Sequence, residues 1–173
     1  VVRGAIRTPT GFNPASMFAA NEPGWVYDLS DFSTLFQDSA GTIPVTAVEQ
    51  PVGLVMDKSG NGNHASQPTT TKRPVLKIDG SGKYYLKGDG IDDFMSTAAI
   101  DFTGTDKLAL WAGVTKLDDT ARIVAELSAN AGSNAGSFYL VSGTDGGYSQ
   151  AYSSISRGAP DVAGGQIAGD RKS

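Results

Sequence analysis

The sequence predicts an all-β fold, an antiparallel β-sandwich or jelly roll, on three observations. Short apolar or alternating runs recur along the chain at a spacing of roughly 8–12 residues. Clusters of Gly, Asp, Asn and Ser separate them, and these are the residues that turns require. The helical stretches of roughly 10–15 residues that βαβ units need are missing.

The chain has 173 residues, within the usual size of one domain and enough to bury a core without a cross-link. It contains no cysteine, which excludes disulfides and thiolate chemistry. The net charge of −4, with no basic stripe, argues against a nucleic-acid partner. No apolar run approaches the ~20 residues that cross a bilayer, and the N-terminus lacks the apolar stretch of a signal peptide, so no membrane insertion is expected. The chain starts with Val and ends in the polar "GGQIAGDRKS", the pattern expected of a piece of a longer protein.

Residues 1–24 hold three prolines and three glycines without a period and read as an N-terminal arm. Phe12, Met17 and Phe18 are too apolar for a free linker, so the arm is expected to lie on its own domain or on a neighbouring subunit, with its own domain favoured. "WVYDL" (25–29) is a short β-prone run. In "SDFSTLFQD" the spacing of Leu29, Phe32, Leu35 and Phe36 predicts one helical turn, capped by Ser30 or Asp31. "PVGLVMD" (51–57) is the next apolar run.

Strand-length pieces follow at 73–79, 83–89 and 92–97, separated by Asp-Gly-Ser-Gly and Gly-Asp-Gly turn signals. The clearest alternation is "KLALWAGVTK" (107–116). There Leu108, Leu110, Ala112 and Val114 share one face and Trp111 and Thr115 the other, with both faces expected to be partly covered. "ARIVAELS" (121–128) and "GSFYLVS" (136–142) continue as a hairpin-like pair. Beyond them the chain alternates weakly around Tyr148, Tyr152 and Ile155 and then loses apolar content.

The only histidine sits in "DKSGNGNHA" (57–65). Asp57, Ser59 and Asn61, followed by Gly62, match the opening of a calcium loop, where alternate oxygen side chains converge on a hard cation. The twelfth position is Pro68, which supplies no carboxylate. A shaped turn with Gly60 and Gly62 at unusual dihedrals therefore leads over a metal site. Should Ca²⁺ bind, the candidate ligands are Asp57, Ser59, Asn61 and Asn63, with Asp89 as a further oxygen donor. His64 has neither a second histidine nor a cysteine to make a zinc site with, and a bond to local backbone is its expected role.

No catalytic residue is assigned and no cofactor is required. If 92–97 is a strand, Asp92 and Asp93 point to opposite faces and cannot act as a carboxylate pair. Beyond Asp92, Asp93 and Glu126 the strand segments hold few acidic residues, and no Glu-x-Asp-x-Glu alternation appears. Most aromatic residues fall in strands and read as core or cross-strand partners. Tyr148 and Tyr152, in a Gly- and Ser-rich stretch, are the candidate glycan-stacking rings.

The ordered set "DKSGNGNHASQ", "RPVLKIDGSGKYYLKGDGIDDFM" and "LALWAGVTK" resembles the laminin-G-like and concanavalin A-like jelly rolls over residues 50 to 116. Lys87 replaces the apolar residue usual there before the Gly-Asp-Gly turn. The upstream segment "GWVYDLSDFSTLFQDSAGTIPVTAVEQPVGLVMDKSGNGNHASQ" is similar to a group of tailed-phage and prophage virion proteins. Leu29 stands where that group usually has proline. This resemblance covers roughly residues 12 to 142.

The resemblance implies a structural protein of the virion, as tail fibre, tail tip or capsid decoration, presenting a lectin-like domain to host-surface glycans. Residues 1–24 would be the arm that docks to the particle, and 25–173 a lectin-like β-sandwich incomplete at its C-terminus. The implied partners are other virion proteins and further copies of the chain, and the implied location is the virion. A carbohydrate-binding module of a secreted bacterial protein is the alternative.

Overall fold

The computed structural model describes residues 13–103, 109–115, 122–127, 139–142, 151–154 and 166–167. The described elements are short antiparallel strands and 3-10 turns, so the fold is all-β. Two compact units divide the chain, Val1–Asp106 and Lys107–Ser173.

In the first unit, β1 (Leu35–Phe36), β2 (Leu54–Val55) and β3 (Ala65–Ser66) form an antiparallel sheet in that order. Leu35 lies opposite Val55, and Val55 opposite Ala65, which places three buried side chains in one row across the sheet. The strands are only two residues long because glycine, proline and Asx turns interrupt the apolar runs. Isolated bridges extend the pairing, Phe36 to Pro44 and Ser66 to Ser96.

A hairpin of β4 (Val75–Ile78) and β5 (Tyr84–Lys87) completes this unit. Its turn is closed by Asp79, whose Oδ1 accepts the N–H groups of Ser81 and Lys83 at 2.8 and 2.9 Å, while Gly82 takes a φ of +78°. Leu76 pairs with Leu86 on the core face, and Val75 with Lys87 on the other. The Lys87 side chain is accordingly exposed, as a charge at that position requires. The second edge of β4 is not free: Leu76 N–H donates to Gln50 O at 2.9 Å, and Leu76 O accepts Glu49 N–H at 2.8 Å.

The core is Leu35, Val45, Val52, Val55, Ala65 and Leu76, with Tyr27, Leu29, Phe32, Tyr84, Leu86 and Met95 packed around it. Phe32 meets Tyr84 edge to face at 5.1 Å, joining the segment before β1 to the hairpin. Gln67 is buried with both ends of its amide satisfied: Nε2 donates to Phe94 O and Oε1 accepts from Thr69 N–H, each at 3.0 Å. Arg73 spends its guanidinium on three carbonyls, those of Gln67, Gln37 and Pro68, and so ties β1, β3 and the following turn together.

The second unit contains a four-stranded antiparallel meander: β6 (Arg122–Glu126), β7 (Tyr139–Ser142), β8 (Ala151–Ser154) and β9 (Gln166–Ile167). Arg122 lies opposite Ser142, and the register shifts between Ile123 and Ala125. The hairpin-like pairing expected of 121–128 with 136–142 is present, and β9 arises in a stretch whose low apolar content gave no strand signal.

Several expected elements take other forms. The turn before β1 is a 3-10 turn over Phe32–Thr34, capped by Asp31 rather than Ser30. Residues 25–29 form no strand, since the backbone of Val26 bonds to the 57–58 loop instead of a ladder. In 92–97 only Ser96 pairs, because the Asp89 carboxylate takes the N–H groups of Ile91, Asp92 and Asp93 in competition with a sheet. The described part of the 107–116 run, 109–115, carries no strand, and Trp111 and Val114 are 90% and 52% exposed rather than covered. Alternation sorts side chains to two faces but supplies no neighbouring strand to pair with.

Gly53, buried between β1 and β2, tests this packing. A Cβ there would lie 2.7 Å from Gln37 O and 2.8 Å from the Asp38 carbonyl carbon, both backbone atoms that cannot swing aside. Gly53→Ala is expected to lower unfolding free energy by about 1–3 kcal/mol in a urea titration. Gly80→Ala, in open space, is expected to stay within about 0.5 kcal/mol of the parent.

Candidate functional site

The 57–64 loop follows β2 and is built around one carboxylate. Asp57 Oδ1 accepts the N–H groups of Val26 and Ser59 at 2.8 and 2.9 Å, and Oδ2 accepts the Ser59 hydroxyl and Asn63 N–H at 2.6 and 3.0 Å. Gly60 and Gly62 take φ values of +96° and +74°, left-handed conformations that let so tight a loop fold back on its first residue. His64 closes it by accepting Asp57 N–H on Nδ1 at 3.0 Å, which places the neutral ring's proton on Nε2.

The asparagines face outward from this hub toward the chain before residue 25. Asn63 Nδ2 donates to Gly24 O at 2.8 Å, and Asn61 Nδ2 donates to Gly24 O and Glu22 O at 3.1 and 3.0 Å. A carbonyl only accepts, so both amides present nitrogen, not oxygen, to these partners. Tyr27 donates its hydroxyl to Asn63 O at 2.5 Å, and Lys58 N–H donates to Val26 O at 2.8 Å. Lys58 Nζ reaches Asp31 at 2.8 Å and Asp28 at 3.1 Å. The loop is thus a latch that holds residues 22–31 along the end of the core.

The charges follow from these contacts. Burial pushes the Asp57 carboxyl up, but the four hydrogen bonds, led by the Ser59 hydroxyl, outweigh it and leave the group below the usual carboxylate range. The Ser30 hydroxyl foremost, then Lys58, lowers Asp28. Lys58 and Ser33 hold Asp31 at about 2. Lys58 is raised in turn by Asp31 and Asp28. Burial, and secondarily the Asp57 charge, drives the Tyr27 hydroxyl well above its ordinary value, so it remains a donor.

Of the five candidate calcium ligands, Asp57, Ser59, Asn61 and Asn63 come together and Asp89 does not join them. A cation in the loop would have to displace donors from both oxygens of Asp57 and rotate both asparagine amides off Gly24 O. Asp89 instead clusters with Asp92 and Asp93, one ligand oxygen of each lying within 4.8 Å of the others. This corrects the expectation that Asp92 and Asp93 diverge. Asp92 sits in a bend and neither residue is in a strand. Asp93 Oδ2 accepts Asp89 N–H at 2.9 Å, and Asp92 pairs with Lys72 at 3.2 Å.

Among the candidate glycan rings, Tyr148 lies outside the described residues, and Tyr152 falls in β8, where only its backbone placement is described. In the first unit, Trp25 is half-buried between Tyr27 and Phe102, with ring centroids at 6.4 and 6.5 Å. Sequence reasoning missed the partners of the latch, Glu22, Gly24, Tyr27 and Lys58. Most are engaged through backbone atoms, or across a separation of up to 39 residues that one sequence does not reveal.

Asp57→Asn keeps the shape but turns one oxygen into a donor facing donors, and is expected to lower unfolding free energy by about 2–3 kcal/mol. A depressed carboxylate contributes stability that is complete above the unfolded value of about 4 and is lost as pH falls through the lower folded value. The parent should therefore lose stability steeply below about pH 4, and Asp57→Asn less steeply, in pH-resolved thermal melts. Chelating divalent cations should leave the parent's Tm unchanged. A fall that Asp57→Asn abolishes would mark the loop as an ion site.

Comparison with family models, with curated proteins and with solved structures finds no match.

Proposed function

We propose that the chain is a structural protein of a phage virion, as tail fibre, tail tip or capsid decoration. In this reading it presents a concanavalin A-like jelly roll to host-surface glycans and is not an enzyme. One observation carries the proposal: the two segments that resemble virion proteins, "WVYDLSDFSTLF" and "DKSGNGNHA", are the two halves of the latch. Val26, Tyr27, Asp28 and Asp31 from the first meet Asp57, Lys58 and Asn63 from the second.

The shared pattern thus closes one end of the β domain and, through Asn61 and Asn63, holds Glu22 and Gly24 at the end of the arm, a joint that a particle-attached protein needs and a freely diffusing catalyst does not. The carboxylates of the joint are spent on backbone N–H groups, hydroxyls and Lys58, not aimed into a cleft where a substrate could meet an acid and a base. Other virion proteins and further copies of the chain are the proposed partners. Copies arrayed on one particle would raise glycan avidity without new contacts.

A carbohydrate-binding module of a secreted bacterial protein is the second reading, favoured by the exposed Trp111, a flat ring of the kind that stacks on a sugar face. Antibodies to the chain are expected to decorate purified particles at one structural position in electron micrographs. Recovery of the chain only from particle-free culture fluid would overturn the virion assignment. Decorated particles that bind no surface polysaccharide on a glycan array would remove the lectin role alone.

A further inference from the structure

The latch contains the dipeptide Asn61-Gly62, and its chemistry reaches beyond holding the chain. Both residues are exposed, and apart from Gly62 itself and its two chain neighbours no atom lies within 4 Å of where a Gly62 side chain would begin. Gly62 N–H meets no acceptor among the described residues, while its carbonyl accepts His64 N–H at 2.9 Å. The backbone nitrogen after Asn61 is therefore unhindered and unbonded. Among the described residues the Asn61 carboxamide makes its hydrogen bonds through Nδ2 alone, to Glu22 O and Gly24 O.

We propose that Asn61 is a site of spontaneous deamidation, and that its conversion unfastens the arm from the loop. The Gly62 nitrogen attacks Asn61 Cγ, a new N–Cγ bond forms, and the Cγ–Nδ2 bond breaks. The proton lost from Gly62 nitrogen leaves with Nδ2 as ammonia. Water then opens the cyclic imide at one carbonyl or the other, leaving aspartate or isoaspartate at position 61. Glycine favours the step because it has no Cβ to block the approach, and asparagine is among the thermolabile residues for this reason.

The product changes the sign of the contact. Where Nδ2 donated to two carbonyl oxygens, a carboxylate oxygen now faces them, and acceptor meets acceptor at both positions. The added charge also lies in the loop of Asp57, which is already ionised. Asn63 provides an internal control two residues away. Its following nitrogen belongs to His64, carries a side chain at Cα and is engaged with Gly62 O.

The test is peptide mapping by mass spectrometry of the purified full chain during incubation in mildly alkaline buffer, with hydrogen exchange measured on fresh and aged samples. Asn61 is expected to convert severalfold faster than Asn63, and the peptide spanning 22–26, whose Val26 amide donates to Asp57 Oδ1, to exchange severalfold faster in the converted fraction. Equal conversion of Asn61 and Asn63 overturns the assignment of the site. Conversion without any change in exchange over 22–26 overturns the unfastening. The aged parent is its own product, so neither readout depends on a variant that has to fold anew.

Discussion

The Asp57 carboxylate is the constraint on which the first unit depends. A charge withdrawn from water costs several kcal/mol unless donors replace the lost hydration. Here four donors do so, from Val26, Ser59 and Asn63. Two of those residues lie in the loop and one in the segment it holds, so solvating the charge and docking the segment are the same event. The loop's glycines, its histidine and its outward-facing asparagines all follow from bringing those donors to one point.

That arrangement compensates for short strands. Ladders of two residues contribute few backbone hydrogen bonds, so side chains take over the work of register. Arg73 collects three carbonyls, Gln67 spans two segments, and Asp79 closes the hairpin turn. The same local device recurs: Asp28, Asp31, Asp57, Asp79, Asp89 and Asp101 each accept the N–H of the residue two positions on. Where that residue is Ser30, Ser33, Ser59 or Thr103, its hydroxyl donates to the same carboxylate.

This device explains what was legible in the sequence. The turn at 79–82 and the left-handed glycines 60 and 62 are local, and residue type alone forecasts them, as it narrows the cap before β1 to Ser30 or Asp31. The all-β class follows from the density of such turns. The failures share the opposite property. Whether 92–97 pairs, whether 107–116 finds a neighbour, and that Asn61 and Asn63 reach back to Gly24 all depend on chain segments distant in sequence. Asp92 and Asp93 show the point most sharply: read as strand residues they diverge, but once Asp89 captures their N–H groups the chain bends and the carboxylates converge.

The carbonyl of Gly24 receives the Asn61 and Asn63 amides, with the Ser59 hydroxyl at 3.5 Å. A pull on the chain N-terminal to Gly24 therefore does not peel a strand from a sheet edge. It loads the carbonyl oxygens of Glu22 and Gly24, and the load passes through Asn61, Asn63 and Ser59 to Asp57 and on through Val55 to the buried row of β1, β2 and β3. Bonds that share a load in parallel yield together rather than one after another. The joint should behave as a stiff tether up to a threshold and then give way at once, independently of the stability of the core behind it.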